Sequence, residues 1–134
     1  MMIPTIVPFY AAVLGLIFIV LSGRVIAARR QFRVRLGSGG QELLERRIRV
    51  QGNFAEYVPL TIILLTFLEL DGAPKWLVHA LCIALIIGRG VHAYCVSRID
   101  EDLRQRRAGM ILTFGPMAIA AIGVVFYSAL RLFG

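Results

Sequence analysis

Four long apolar runs, at 3–21, 54–70, 76–94 and 108–130, divide the chain, and most charged residues lie in the blocks between them. Each run approaches or exceeds the roughly 17–25 residues a helix needs to cross a bilayer. Backbone in hydrocarbon must satisfy its own hydrogen bonds, so runs of this length fold as helices. Four such spans with short loops use up the 134 residues and leave no room for a separate soluble domain. The apolar share of 58% points the same way, since soluble domains lie nearer roughly 45–50%. The expected fold is an all-α membrane protein, a four-transmembrane-helix up-down bundle. It forms a single domain over 1–134, with helices at about 3–30, 39–70, 74–97 and 104–132.

Charge placement sets the expected topology. Eight arginines fall in 24–50 and four in 98–107, whereas the 71–75 turn holds only Lys75 and the N-terminus has neither Lys nor Arg. The excess of Lys and Arg on the cytoplasmic side of membrane proteins puts the 24–50 and 98–107 loops in the cytoplasm and both termini outside. The first run lacks the basic leading segment of a signal peptide, so it is expected to be retained as a span. The net charge of +7 then reads as topology and contact with anionic lipid, with no nucleic-acid partner. Cys82 and Cys95 lie on one expected helix, too far apart to pair and without metal-ligand spacing; they read as packing thiols, and no metal site is expected.

Local signals mark the connections. In "RLGSGGQ" (35–41), Ser38 and Gln41 form an S-x-x-Q pattern that predicts a capped start of helix two near Gly39. In "ELDGAPKW" (69–76), Asp71-Gly72 predicts a tight turn and Pro74 opens helix three. Gly115-Pro116 predicts a kink in helix four.

The stretch "ERRIRVQGNFAEY" (45–57) is out of keeping with the apolar run it enters. Arg46, Arg49, Asn53, Glu56 and Leu60 are spaced 3, 4, 3 and 4, which is one face of a helix. Helix three offers Arg89 and His92, again on one face. Counting back from the 71–75 turn places Glu56 about 21 Å and Asn53 about 25 Å along helix two. The matching depths on helix three are about 20 Å for Arg89 and 24 Å for His92. Glu56 is thus expected opposite Arg89, and Asn53 opposite His92. Snorkelling anchors account well for arginines such as Arg47 and poorly for a glutamate in mid-face. An ion pair of Glu56 with Arg89 or Arg49 would hold the bundle together without any ligand. The excess of arginine over acid favours a small, multiply charged anion entering from the cytoplasm, since Arg binds carboxylates bidentately. A proton-coupled exporter would need an acid deep in a span, whereas Glu56 lies near one side. His79, Glu69 and Asp71 fall at the outer boundary and call for no functional account.

Three stretches, "ARRQFRV" (28–34), "ERRIRVQGNFAEYVP" (45–59) and "GRGVHAY" (88–94), resemble the MAPEG family, the membrane-associated proteins of eicosanoid and glutathione metabolism. The E-R-x-x-R-x-x-x-N-x-x-E-Y-x-P pattern is matched by Glu45, Arg46, Arg49, Asn53, Glu56, Tyr57 and Pro59. "RRAGM" (106–110) and the 69–76 turn are similar to a small branch of bacterial inner-membrane proteins.

The resemblance implies a homotrimer with glutathione, as co-substrate, bound between protomers near the cytoplasmic helix ends. It implies that Arg29 and Arg30 contact the ligand's carboxylates. Arg49, Asn53, Glu56 and Tyr57 would line the same site from helix two, and Arg89 and His92 from helix three. An arginine at the start of helix four, Arg107 or else Arg106, would face the thiol as the catalytic group. The implied activity is that of a microsomal-type glutathione transferase or peroxidase, in which the thiolate attacks a lipophilic electrophile or hydroperoxide arriving through the bilayer. The alternative is a non-catalytic membrane protein that binds an anionic lipid or thiol, or a structural assembly subunit. Val96 stands where the eukaryotic enzymes often carry a tyrosine four residues after the His92 position, and the link before helix four is longer than theirs.

Overall fold

The computed structural model describes residues 3–100 and 102–133. Positions 1, 2 and 134, at the ends of the expected 1–134 domain, and position 101, in the charged link, lie outside the described residues. The chain folds into α1 (Val7–Phe32), α2 (Glu42–Leu70), α3 (Lys75–Val96) and α4 (Leu103–Phe133), with no strand among the described residues. All four are long and apolar enough to cross a membrane. At about 1.5 Å per residue they span roughly 39, 44, 33 and 47 Å. The connections at 33–41, 71–74 and 97–102 are short, so successive helices run antiparallel as an up-down bundle.

The helix ends follow from a few residues. α1 opens at Val7 with Pro8 in its first turn, where a missing N–H breaks no intrahelical bond. α2 begins at Glu42 rather than near Gly39, and Ser38 does not cap it: Gln41 occupies the cap position and no side-chain cap bond forms. Gly39 and Gly40 take φ of 57° and 75°, a left-handed turn that separates Ser38 from the helix. At the far end of α2, Gly72 adopts φ 86° while its N–H and that of Ala73 close on the carbonyls of Glu69 and Leu68. A side chain at that φ would be strained, which explains the Asp-Gly turn. α4 continues unbroken through Gly115-Pro116, with Pro116 buried.

α2 and α3 form the centre of the bundle. Each packs against α1 and α4, while α1 and α4 do not touch each other among the described residues. The buried set includes Leu14, Leu21, Val50, Phe54, Leu65, Leu68, Val78, Leu85 and Ala120. Lipid is as apolar as these side chains, so close fit rather than expulsion of water holds such helices together. The closest fit is at Gly88 and Gly109. A Cβ on Gly88 would lie 2.9 Å from the carbonyl carbon of Leu112, and one on Gly109 would lie 2.9 Å from the His92 nitrogen. The α3 and α4 backbones therefore touch beside His92.

The end holding the 71–74 turn is locked by polar contacts. The Glu69 carboxylate accepts from the backbone N–H groups of Thr5 (2.7 Å), Ile6 (2.7 Å) and Val7 (2.9 Å). It thereby satisfies the open donors of α1, whose own cap residue Ile6 has no side-chain acceptor. Tyr10 Oη lies 2.9 Å from His79 Nδ1, and Arg131 pairs with Asp71 at 2.6 Å. These contacts are structural ties among the four helices.

Candidate ligand cavity at the arginine-rich end

The opposite end, where the arginines collect, opens into a cavity of about 470 Å³. α2 supplies Glu45, Arg46, Ile48, Arg49, Gly52, Asn53 and Glu56; α3 supplies His92 and Val96; α4 supplies Arg106. The α2 residues recur every three or four positions, so helical periodicity alone aligns them along one wall. Gly52 contributes no side chain, which leaves room between the turns that carry Arg49 and Asn53.

The charges in this wall are unequally committed. Arg46 is tied to Glu42 at 3.0 Å and also donates to the carbonyls of Val96 (3.4 Å) and Ile99 (3.3 Å) at the end of α3. It serves to join α2 to α3. Arg49 stands 3.9 Å from Glu45, and both are largely exposed, so that pair is worth little. Glu56 is exposed at the cavity. Three arginines and two glutamates line the space, a smaller cationic excess than the loop counts suggest. Arg47, off this face, donates to the carbonyl of Arg24 at 3.2 Å and so ties α2 to α1.

Arg89 lies behind the cavity wall and is 1% exposed. Its Nη2 donates to Asn53 Oδ1 at 2.6 Å and contacts His92 Nδ1 at 2.9 Å. Nη1 donates to Thr113 Oγ1 at 3.2 Å, and Thr113 in turn donates to the Gly109 carbonyl at 2.8 Å. The guanidinium carbon sits 5.8 Å from the centre of the Phe54 ring. Among the described residues no carboxylate pairs with Arg89. The depth count therefore needs correction: Arg89 meets Asn53, not Glu56. That count compared Cα positions, and a guanidinium reaches about one helical turn, roughly 5 Å, from its own Cα.

Of the residues expected at the site, Arg49, Asn53, Glu56, His92 and Arg106 share the cavity, with Arg89 directly behind. Arg107 is exposed and does not line it. Asp102 accepts from the Arg104 N–H at 2.8 Å and fixes the first turn of α4. Arg106 and Arg107 then point about 100° apart, and only Arg106 faces the cavity. Tyr57 packs its ring edge-on against Phe114, with centroids 4.9 Å apart, and is not part of the lining. Arg29 and Arg30 lie elsewhere, on a shallow concavity with Ile26, Arg33, Val34 and Arg35. There Arg29 donates to the Gly37 carbonyl at 2.9 Å. Thr113 escaped the sequence reading, because a lone threonine in an apolar helix carries no signal beyond its usual bond to the carbonyl four residues back.

The family model for the MAPEG family matches residues 7–126, covering all four helices and the cavity. The chain belongs to the MAPEG family. It is also similar to two proteins named inner membrane protein YecN, from Escherichia coli strain K12 and from Escherichia coli O6:H1 strain CFT073. Each is 36% identical over 118 residues, which is 88% of this chain and 88% of the relative.

With four apolar helices and inner-membrane relatives, this MAPEG chain is a multi-pass inner-membrane protein. Its helix-two signature residues Glu45, Arg46, Arg49, Asn53 and Glu56 all line the cavity. Tyr57 and Pro59 of the same signature face away from it; Pro59 borders an apolar groove between α1 and α2 instead.

Proposed function

We propose that this MAPEG protein binds glutathione as co-substrate in the arginine-rich cavity and transfers it to lipophilic electrophiles or uses it to reduce hydroperoxides. The observation that carries this reading is the convergence of Arg49, Asn53, Glu56, His92 and Arg106 on one space of about 470 Å³. That volume lies within the roughly 300–1,000 Å³ common for small-ligand sites. Glutathione has two carboxylates, one ammonium and one thiol; the cavity offers arginines for the first, glutamates for the second and Arg106, on the α4 side, for the third.

The chemistry assigned to Arg106 is stabilisation of the thiolate. A free thiol has a pKa of about 8.5, and the thiolate is the nucleophile. A neighbouring guanidinium lowers such a value by about 1–3 units, each worth about 1.4 kcal/mol. In the transfer, the thiol proton leaves to solvent and the sulfur lone pair forms the new S–C bond. The displaced pair then departs with the leaving group or takes up a proton.

The same reading puts Arg29 and Arg30 of a neighbouring copy at the rim of this cavity in a homotrimer. Support comes from their separation from the cavity within one chain and from the lack of contact between α1 and α4 among the described residues, which leaves faces of both helices for a neighbour. It also puts the cavity on the cytoplasmic side and both termini outside, on the strength of the arginine distribution.

A non-catalytic binder of glutathione or another anion is the second reading. It is favoured by Val96, an apolar residue on the wall where the eukaryotic enzymes often carry a tyrosine. Turnover of a generic aryl halide with glutathione by the purified protein separates the two readings. The transferase reading requires turnover that Arg49→Ala abolishes. Binding without turnover selects the second reading, and absence of binding removes both.

A further inference from the structure

Arg89 is the largest fully buried side chain in the described protein, yet it reaches no acid and does not line the cavity. It does touch two residues that line it, Asn53 and His92. A guanidinium has only donors. The 2.6 Å contact therefore requires the oxygen of the Asn53 amide, and the 2.9 Å contact requires the lone pair of His92 Nδ1. Both assignments follow from Arg89 alone, whatever lies in the cavity. The Asn53 NH2 group then remains as the free end of that amide, and the ring proton of His92 is placed on Nε2.

We propose that Arg89 is a positioning residue that sets the hydrogen-bond polarity of the cavity wall: it holds the Asn53 amide with its NH2 group toward the cavity, where that group receives the anionic end of the ligand, and it holds the ring proton of His92 on Nε2. Its third contact is directional in the same way: Arg89 donates to Thr113 Oγ1, whose O–H in turn donates to the Gly109 carbonyl. This relay anchors the guanidinium to α4 at the glycine contact of α3 and α4, where neither backbone has room to shift. Among the described residues the partners of Arg89 are an amide oxygen, an imidazole nitrogen, a hydroxyl and the Phe54 ring, and no carboxylate pairs with its positive charge. That charge adds attraction for an anion lodged against Asn53.

The placement of a carboxylate rests on the glutathione reading; the tautomer and amide orientation do not. The chain holds two histidines, so 15N NMR of the detergent-solubilised protein, with His79→Gln for assignment, reads His92 directly. The expected spectrum has an unprotonated Nδ1 and a protonated Nε2 in the wild type without ligand, retained in Arg89→Lys and lost in Arg89→Met. A wild-type His92 protonated on Nδ1 overturns the proposal, with no variant required. Asn53→Asp provides the binding arm. Its carboxylate pairs with Arg89, so folding is kept, but an acceptor replaces the donor at the wall. Glutathione affinity, by calorimetry, is expected to fall about ten- to hundredfold. Unchanged affinity in a protein that binds glutathione overturns the proposal. The expected tautomer in a wild type that binds no glutathione upholds the polarity and refutes the glutathione reading instead.

Discussion

Arg89 Nη2 lies 2.6 Å from Asn53 Oδ1 and joins α3 to the α2 face that lines the cavity. This contact makes a buried cation tolerable at the edge of a membrane domain, because the guanidinium meets three side-chain acceptors and an aromatic ring. Truncating it leaves Asn53 and Thr113 short of a partner and opens a void. Arg89→Met is expected to destabilise the protein by about 2–4 kcal/mol. Thr113→Val removes one contact and is expected to cost about 1 kcal/mol. Reversible denaturation in mixed micelles measures both, and equal effects would contradict the network described.

Glu69 acts at the opposite end, as a cap supplied by α2 to the start of α1. Glu69→Ala leaves the N–H groups of Thr5, Ile6 and Val7 without their acceptor. The expected loss is about 1–2 kcal/mol, with faster amide exchange confined to the first turn of α1. Glutathione affinity should not change, since this end is remote from the cavity.

Gly109 permits the α3–α4 backbone contact. Gly109→Ala places a methyl group 2.9 Å from the His92 nitrogen. The helices must separate, at an expected cost of about 1–3 kcal/mol. His92 and Arg106 lie on opposite sides of that contact, so ligand affinity should fall together with melting temperature.

Arg106 and Arg107 are adjacent in sequence and differ in what they face. Arg106→Ala is expected to lower turnover at saturating glutathione by at least about tenfold, the effect of one pKa unit on the bound thiol. Arg107→Ala should leave turnover unchanged within about twofold. The reverse result would mean that α4 starts in a different register.

The trimer reading has a genetic form. Arg29→Ala and Arg49→Ala should each abolish activity. Co-expression of the two variants should restore part of it, because a mixed trimer contains some sites with both arginines intact. No restoration, in protein shown by crosslinking to contain both chains, would place Arg29 outside the site.

Much of this architecture was legible in the sequence. Apolar runs of bilayer length announce helices, and the 3-4-3-4 spacing from Arg46 to Leu60 marks the face that lines the cavity. Side-chain reach was not legible. Depth counting assigned Arg89 to Glu56 because it ignores the turn of helix that a guanidinium spans. The failed Ser38 cap shows a similar limit: the S-x-x-Q spacing was present, but two glycines at positive φ turned the chain away from the helix. Thr113 gave no warning, and the choice of Arg106 over Arg107 depends on the Asp102 contact that sets the start of α4. Arg29 and Arg30 show a deeper limit. Within one chain they lie apart from the cavity; in the proposed trimer a second copy would bring them to it, and no spacing within one chain encodes that.

The central claim is that the Arg49–Asn53–Glu56 wall holds glutathione for chemistry. The most direct measurement is the ultraviolet thiolate difference spectrum of the purified protein titrated with glutathione, wild type against Arg106→Ala. The account predicts a saturable thiolate signal near neutral pH in the wild type that Arg106→Ala strongly reduces while binding persists. A wild type that shows no saturable signal, or one that Arg106→Ala leaves intact, would contradict it.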